Sequence, residues 1–258
     1  SRNSLVCYTR GESLQNEIKK RMITLTLEKI EDTATGTKTF YFTKPENFQF
    51  RAGQYVALKV DNLVAPDTRA GVRSLSICAA PCESQLIFTM RQSESGFKQT
   101  FWAMEPGSTV SVTPPIGKFV LEPGDTRTVV YLVGGVGITP VRSQLIEEAK
   151  AGSGRHFVLF NANRKEGDAP HREELKSLKL TNFQYVDVFS QEEREMTAGE
   201  AKGYICKELL ESYIDNPKEC VYYIVGSPSF LEAMENMLHT LEVPEDQWHK
   251  DPFTGMDS

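Results

Sequence analysis

Val129-Val130-Tyr131-Leu132-Val133-Gly134-Gly135-Val136-Gly137-Ile138-Thr139-Pro140 changes character twice within twelve residues. Five consecutive apolar residues, three of them β-branched, read as a strand buried on both faces. Three glycines in four positions then punctuate the chain. Pro140 opens a segment in which Val141, Leu145, Ile146 and Ala149 share one helical face over residues 141–150. A strand that enters a helix through a short turn is the repeating unit of a parallel sheet. Glycines at such a turn let the backbone approach a pyrophosphate, and the free N–H groups of the helix start favour its charge. The same cluster also satisfies a tight βα turn, and its spacing is not G-x-G-x-x-G, so both readings stay open at this point.

Downstream the rhythm continues. Residues 128–133, 156–161, 183–189 and 221–225 are nearly continuous apolar or β-branched runs separated by helical spacing, which predicts a parallel sheet covered by helices. Phe230, Leu231, Met234, Met237, Leu238 and Leu241 form one face of a last helix, a stripe that reads as core packing. Between them, Gly226-Ser227-Pro228 is a second glycine turn after a strand, and ligands of open α/β sheets bind outside those strand ends. Gly134, Gly135, Val136, Gly137, Thr139, Gly226 and Ser227 are therefore candidates to face one dinucleotide. Asn163-Arg164-Lys165 follows another strand with no acidic residue at its end, a loop suited to a ribose 2′-phosphate, which favours NADPH over NADH; a solvated basic turn has the same composition.

Upstream the pattern differs. Residues 23–30, 37–43, 54–60, 73–78, 85–90 and 109–112 are six short β-rich runs bounded by turn residues, which predicts a small antiparallel barrel. Pro123-Gly124-Asp125 separates the two regimes. The expected organisation is an N-terminal extension over residues 1–20, a barrel over 21–123 and an α/β unit over 124–258. Within the barrel, Arg73-Ser74-Leu75-Ser76 offers a guanidinium and two hydroxyls, and Gly96-Phe97-Lys98-Gln99-Thr100 precedes the apolar stretch 101–104, so each is a candidate phosphate site.

A net charge of −6 over 258 residues argues against nucleic acid. No apolar run reaches the roughly 20 residues of a membrane span, and no signal-peptide pattern opens the chain, so a soluble cytoplasmic protein, not an integral membrane protein, is expected. Five scattered cysteines form neither a disulfide framework nor a ferredoxin-type iron–sulfur spacing, and four histidines share no metal-ligand spacing. No metal is expected.

From about residue 22 onward, the order of Ala52-Gly53-Gln54-Tyr55, Arg73-Ser74-Leu75-Ser76, 96–100, Pro115-Ile116-Gly117, 134–140, Asn163-Arg164, Gly226-Ser227-Pro228 and Phe253-Thr254-Gly255 resembles the ferredoxin–NADP reductase superfamily, in particular its stand-alone members without a fused iron–sulfur domain. The resemblance implies a flavin barrel followed by a five-stranded NAD(P) module, with the flavin ring at their junction. It implies FAD rather than FMN, NADPH or NADH as substrate, Arg73 on the flavin phosphate and Ser76 near the reactive flavin nitrogen. Gln99 stands at the family's usual serine position, with Thr100 as the substitute hydroxyl. Leu75 replaces a tyrosine that commonly packs on the flavin ring, Val225 a frequent cysteine, and Met256 a frequent aromatic residue, which leaves Phe253 as the ring-capping candidate. The implied function is an NAD(P)H-dependent flavoprotein reductase serving a separate, unidentified electron acceptor, a redox protein. A flavin reductase that releases its flavin, and a non-catalytic regulatory or docking module on the same fold, are the alternatives.

Overall fold

The computed structural model describes residues 22–253; the extension expected over residues 1–20, together with Thr254, Gly255 and Met256, lies outside the described residues. The first half builds an antiparallel sheet from β1 (Ile23–Ala34), β2 (Thr37–Thr43), β3 (Tyr55–Lys59), β4 (Val72–Ser76), β5 (Gln85–Arg91) and β6 (Thr109–Val112), in the order β4-β3-β6-β1-β2-β5. All six predicted runs are strands. The sheet curls until its edges meet, because the Cys78 N–H, just beyond β4, donates to the Ile87 carbonyl of β5 at 2.9 Å. Inside lie Phe40, Phe42, Phe88, Phe97 and Phe101, all fully buried, with Phe40 edge-on to Phe101 at 4.6 Å between ring centres. Two of these rings come from α1 (Gly96–Trp102), which Ser95 starts by accepting the Lys98 N–H on its hydroxyl.

The second half is a parallel sheet of six strands rather than the expected five: β7 (Val129–Gly134), β8 (Phe157–Asn163), β9 (Phe183–Phe189), β10 (Glu200–Lys202), β11 (Val221–Gly226) and β12 (Trp248–Pro252), ordered β10-β9-β8-β7-β11-β12. Neither β10 nor β12 is among the runs read from the sequence; β10, Glu200-Ala201-Lys202, is too short for an apolar run to announce it. It pairs with β9 and packs Ala201 on the core, and the Glu200 carboxylate adds ion pairs, taking Arg172 Nη2 at 2.9 Å and Arg194 Nη1 at 2.7 Å. The helices are α2 (Ile138–Ala151), α3 (Arg172–Lys176), α4 (Lys207–Glu211) and α5 (Pro228–Thr240). Alternate residues of β7 serve the two faces: Val130 and Leu132 meet Leu231, Met234 and Leu238 of α5, whereas Val129, Tyr131 and Val133 meet Val141 and Leu145 of α2.

The two units are joined by polar contacts along α2. Arg142 donates to the Cys78 carbonyl at 2.8 Å and pairs with Glu83 and Glu174, Ser143 donates to the Ala79 carbonyl at 2.6 Å, and Gln144 donates to the Phe119 carbonyl at 2.8 Å. Gly53 lies beneath this seam with φ +97°, and a Cβ there would stand 1.9 Å from the Phe119 oxygen. Only glycine fits.

Candidate functional site

A cavity of about 650 Å³ opens where the two sheets face each other. Tyr55, Arg69, Arg73, Ser74, Leu75 and Ser76 line it from β3, β4 and the loop before β4. Residues 89–93 at the end of β5 continue the wall with Phe97 and Lys98 of α1, and Val136, Thr139, Arg164, Asp251, Pro252 and Phe253 close it from the α/β side. Ten of the residues singled out in the sequence therefore share one space: Arg73, Ser74, Leu75, Ser76, Phe97, Lys98, Val136, Thr139, Arg164 and Phe253. Gly96, Gln99, Thr100, Gly134, Gly135, Gly137, Asn163, Gly226 and Ser227 do not line it.

Several of those nine have local work. The Thr100 hydroxyl donates to the Gly96 carbonyl at 2.7 Å and accepts the Val64 N–H, so it fastens the loop 61–71 to α1. The Gln99 amide turns back to the Glu94 carbonyl. Ser227 caps α5 by accepting the Phe230 N–H at 3.3 Å. Asn163 is buried, and its amide nitrogen finds no hydrogen-bond partner among the described residues. Of the residues that reach the cavity, Thr139 uses its hydroxyl to close the glycine turn on the Val136 carbonyl at 3.1 Å.

The expected anion seat in the barrel already holds a carboxylate. Arg73 presents its fork to Asp67, Nη2 to Oδ1 at 2.6 Å and Nη1 to Oδ2 at 3.0 Å, and the Asp67 side chain is fully covered. Asp67 also accepts the backbone N–H groups of Gly71 at 2.9 Å and of Phe97, at the start of α1, at 3.3 Å. These are the donors an anion would find at this position. Arg73, then the Gly71 and Phe97 N–H groups, hold the Asp67 carboxyl well below the usual carboxylate range against the opposing effect of burial. Gly96 explains how the loop comes so close: a Cβ there would lie 2.2 Å from the Ala65 oxygen. Sequence reading missed Asp67, because nothing in the polar run before β4 says which of its residues folds back.

Across the cavity the two glycine turns do meet at one object, the ring of Phe230. A Cβ on Gly226 would approach it to 2.8 Å and one on Gly134 to 3.2 Å. Gly137 packs on β11, with the Val225 oxygen 2.8 Å from where its Cβ would be. Tyr55, quoted in the sequence only as part of a motif and given no role there, and Asp251, missed altogether, also line the cavity. Tyr55 exchanges two backbone hydrogen bonds with Ile116, both at 2.9 Å, and Gly117, φ +119°, lies against its ring, which accounts for Pro115-Ile116-Gly117. Burial alone pushes the Asp251 carboxyl up to about 6. Phe253 is tied to the second glycine turn through its N–H to the Gly226 carbonyl at 3.0 Å.

Among the described residues no group of three or more candidate ligands is arranged to hold a metal ion, no helix is long and apolar enough to cross a membrane, and Cys78, Cys82, Cys206 and Cys220 are free thiols.

Residues 132–236 match the family model of the oxidoreductase NAD-binding domain. The flavohemoprotein of Oceanobacillus iheyensis is 26% identical over 239 residues, which cover 88% of this chain and 57% of that protein. The chain thus spans little more than half the length of such curated relatives. Among solved structures, the flavohem-like FAD/NAD-binding domain of nitric oxide dioxygenase from Vibrio cholerae O1 biovar El Tor has a TM-score of 0.77 at 17% identity, covering 89% of this chain and 98% of that one. The ferredoxin NADP+ reductase of Neisseria gonorrhoeae, solved with FAD and NADP bound, has a TM-score of 0.75 at 18% identity and covers 90% of this chain and 98% of its own. The fold is that of the ferredoxin–NADP reductases, a six-stranded antiparallel sheet followed by a parallel sheet with helices.

Proposed function

We propose that this chain is an FAD-dependent oxidoreductase of the NAD(P)H flavoprotein reductase class, acting in the cytoplasm. Residues 21–123 would hold the flavin and residues 124–258 the nicotinamide dinucleotide, with electrons passing on to a separate redox partner. The observation that carries this reading is the shared cavity: its volume of about 650 Å³ suits a planar ring system. Its walls bring Ser74, Leu75 and Ser76 from one unit opposite Val136, Thr139 and Phe253 from the other. Bound there, a flavin supplies hydride acceptance and stepwise electron release.

The chain's own residues supply position and exclusion of water. Ser76 would stand by the ring, Leu75 and Phe253 would pack against it, and Arg73 with Lys98 would face the flavin phosphates once Asp67 gives way. Arg164 and Asn163 would meet the adenosine end of the dinucleotide, with NADPH preferred. Relatives named flavohemoprotein and propane 2-monooxygenase reductase component are consistent with an electron-delivering role, although neither name supplies this chain's acceptor.

Asp67 favours one second reading. A carboxylate seated on Arg73 competes with the flavin's pyrophosphate, as it would in a protein that binds and releases flavin as a substrate. Titrating the purified, FAD-reconstituted protein with NADPH and then NADH while following the flavin band tests both readings. Bleaching by NADPH at lower concentration than NADH, with stoichiometric retained FAD, is expected. Loss of flavin on gel filtration supports the releasing reading, and a protein that stays colourless with FAD and with FMN overturns both. A flavin that takes longer than minutes to bleach would mark a docking module instead.

A further inference from the structure

Behind the cofactor cavity, the barrel wall carries a row of threonine hydroxyl groups. Thr33, Thr39 and Thr89 lie side by side on β1, β2 and β5, Thr39 directly opposite Thr89 in the strand register. Their hydroxyls form a continuous chain, Thr89 to Thr39 at 2.9 Å and Thr39 to Thr33 at 3.0 Å. Thr89 lines the cofactor cavity. Thr33 lines a second cavity, of about 600 Å³, on the other side of the seam between the two units.

A second branch leaves the same hydroxyl. Thr89 Oγ1 lies 2.8 Å from Nε2 of His171, and Nδ1 of that ring lies 3.3 Å from the Glu174 carboxylate. His171 and Glu174 both line the second cavity, and the Glu174 side chain is 41% exposed, so this branch also ends at water. Imidazole is suited to such a position, because a proton taken up at one nitrogen leaves from the other without movement of the ring.

The surroundings keep the ring protonatable. Burial opposes a charge on His171, but the Cys78 sulfur at 3.5 Å and the Glu174 carboxylate outweigh it and push the imidazole up to about 9. Arg142 works the other way from α2, itself paired with Glu83 and Glu174, and Glu31, hydrogen-bonded to Tyr41, faces Glu174 across the second cavity. Every member of both branches has a partner, as a buried polar network requires.

We infer that Thr89, with the Thr39–Thr33 and His171–Glu174 branches behind it, is a proton path from the cofactor cavity to the second cavity. This rests on the flavin reading above. In that chemistry a nicotinamide C–H bond breaks, and an N–H bond forms on the flavin ring as two electrons and one proton arrive together. When the electrons leave singly for a one-electron acceptor, that N–H bond breaks and its proton needs an exit. The path gives it one, with water at the second cavity as the final base.

Closing both branches without touching the cofactor cavity tests the path. FAD-loaded wild-type protein and the Thr39→Val/His171→Gln variant are photoreduced, then mixed with ferricyanide in a stopped-flow instrument, with flavin absorbance and a pH-indicator dye read together. In the wild type, proton release keeps pace with reoxidation. In the variant it lags by about tenfold or more, the scale of a lost proton-transfer group, with a larger solvent deuterium effect. The Thr39→Ser/His171→Gln variant keeps the hydroxyl branch and restores release.

Wild-type release rates in the double variant would overturn the path, since the proton then leaves by the cofactor cavity's own mouth. Equal slowing in the serine variant would also overturn it, because a packing defect then explains both. If that double variant fails to fold, Thr33→Val/His171→Gln closes the same two branches from the side of the second cavity, and the absence of any lag there has the same overturning force. Failure of the flavin reading shows separately: the wild type then retains no FAD, or is photoreduced yet not bleached by NADPH.

Discussion

The two turns expected to receive phosphate groups are both filled from within the chain, but by different means. In the barrel, the Arg73 fork and the Phe97 N–H hold the Asp67 carboxylate, a charge in the place of a charge. In the α/β unit, the Gly134 and Gly226 turns close on the Phe230 ring, which has no charge to offer. The first seat is electrostatically satisfied and a ligand must compete for it. The second is only sterically filled, and a ring turning about its side-chain bonds can clear it.

The sharpest way to break this contrast is Arg73→Ala. It strands a fully covered carboxylate, and a loss of about 3–5 kcal/mol is expected in urea unfolding at pH 7. Asp67 is more acidic folded than unfolded, so its contribution is present above its unfolded value of about 4 and fades as pH falls below it. The cost of Arg73→Ala should shrink accordingly at pH 3. A loss under about 1 kcal/mol at pH 7 would mean that the pair is not the seat's occupant.

Asp251 supplies the opposite case, a carboxyl in the same cavity shifted by burial alone. Its folded value of about 6 lies above the unfolded one, so the folded state is favoured below pH 4 and penalised as pH rises through 6. Asp251→Asn should therefore gain stability at pH 8 relative to pH 4, by up to about 3 kcal/mol, checked by thermal unfolding at both pH values. The same variant should remove a break near pH 6 from the rate of flavin bleaching.

Phe230→Ala empties the second turn. A half-buried ring lost from the α5 face costs about 2 kcal/mol. The NADPH dissociation constant, measured by calorimetry, should stay equal to the wild-type value or fall below it; a tenfold weakening would make the ring part of the binding surface. The smallest effect is expected of Arg164→Ala, which leaves stability within about 0.5 kcal/mol. It should cut the preference for NADPH over NADH by about tenfold, one charge-assisted hydrogen bond to a phosphate. An unchanged ratio would assign Arg164 to the solvated basic turn.

Much of the architecture was legible because strands announce themselves by composition. Residues 37–43, 109–112 and 183–189 are strands with the bounds read from the sequence, and the glycine turn after β7 does lead into a helix. The strand β10 was not legible, since at three residues it is too short to show a period, and the ion pairs from Arg172 and Arg194 to Glu200 form only on folding. The site was legible in the parts that carry a local signature. Arg73, Ser74, Leu75 and Ser76 of β4 and Val136 and Thr139 of the turn after β7 reach one cavity from two units. The hydroxyls of Thr100, Thr139 and Ser227 did not keep their expected freedom, because turns and helix starts have unsatisfied backbone groups of their own and the nearest hydroxyl bonds them first.

By itself, then, the sequence determined two units of different period, the strand ends at which a ligand would sit and the residue types offered there, because periodicity and turn chemistry act over a few neighbouring residues. Only the tertiary structure decided who meets whom. Asp67 reaches Arg73 six positions on, Phe230 closes on two turns 92 positions apart, and Thr89 finds His171 82 positions away. The reason is physical: hydrogen bonds and ion pairs are made by proximity in space, and proximity over such separations exists only once both sheets have closed and docked.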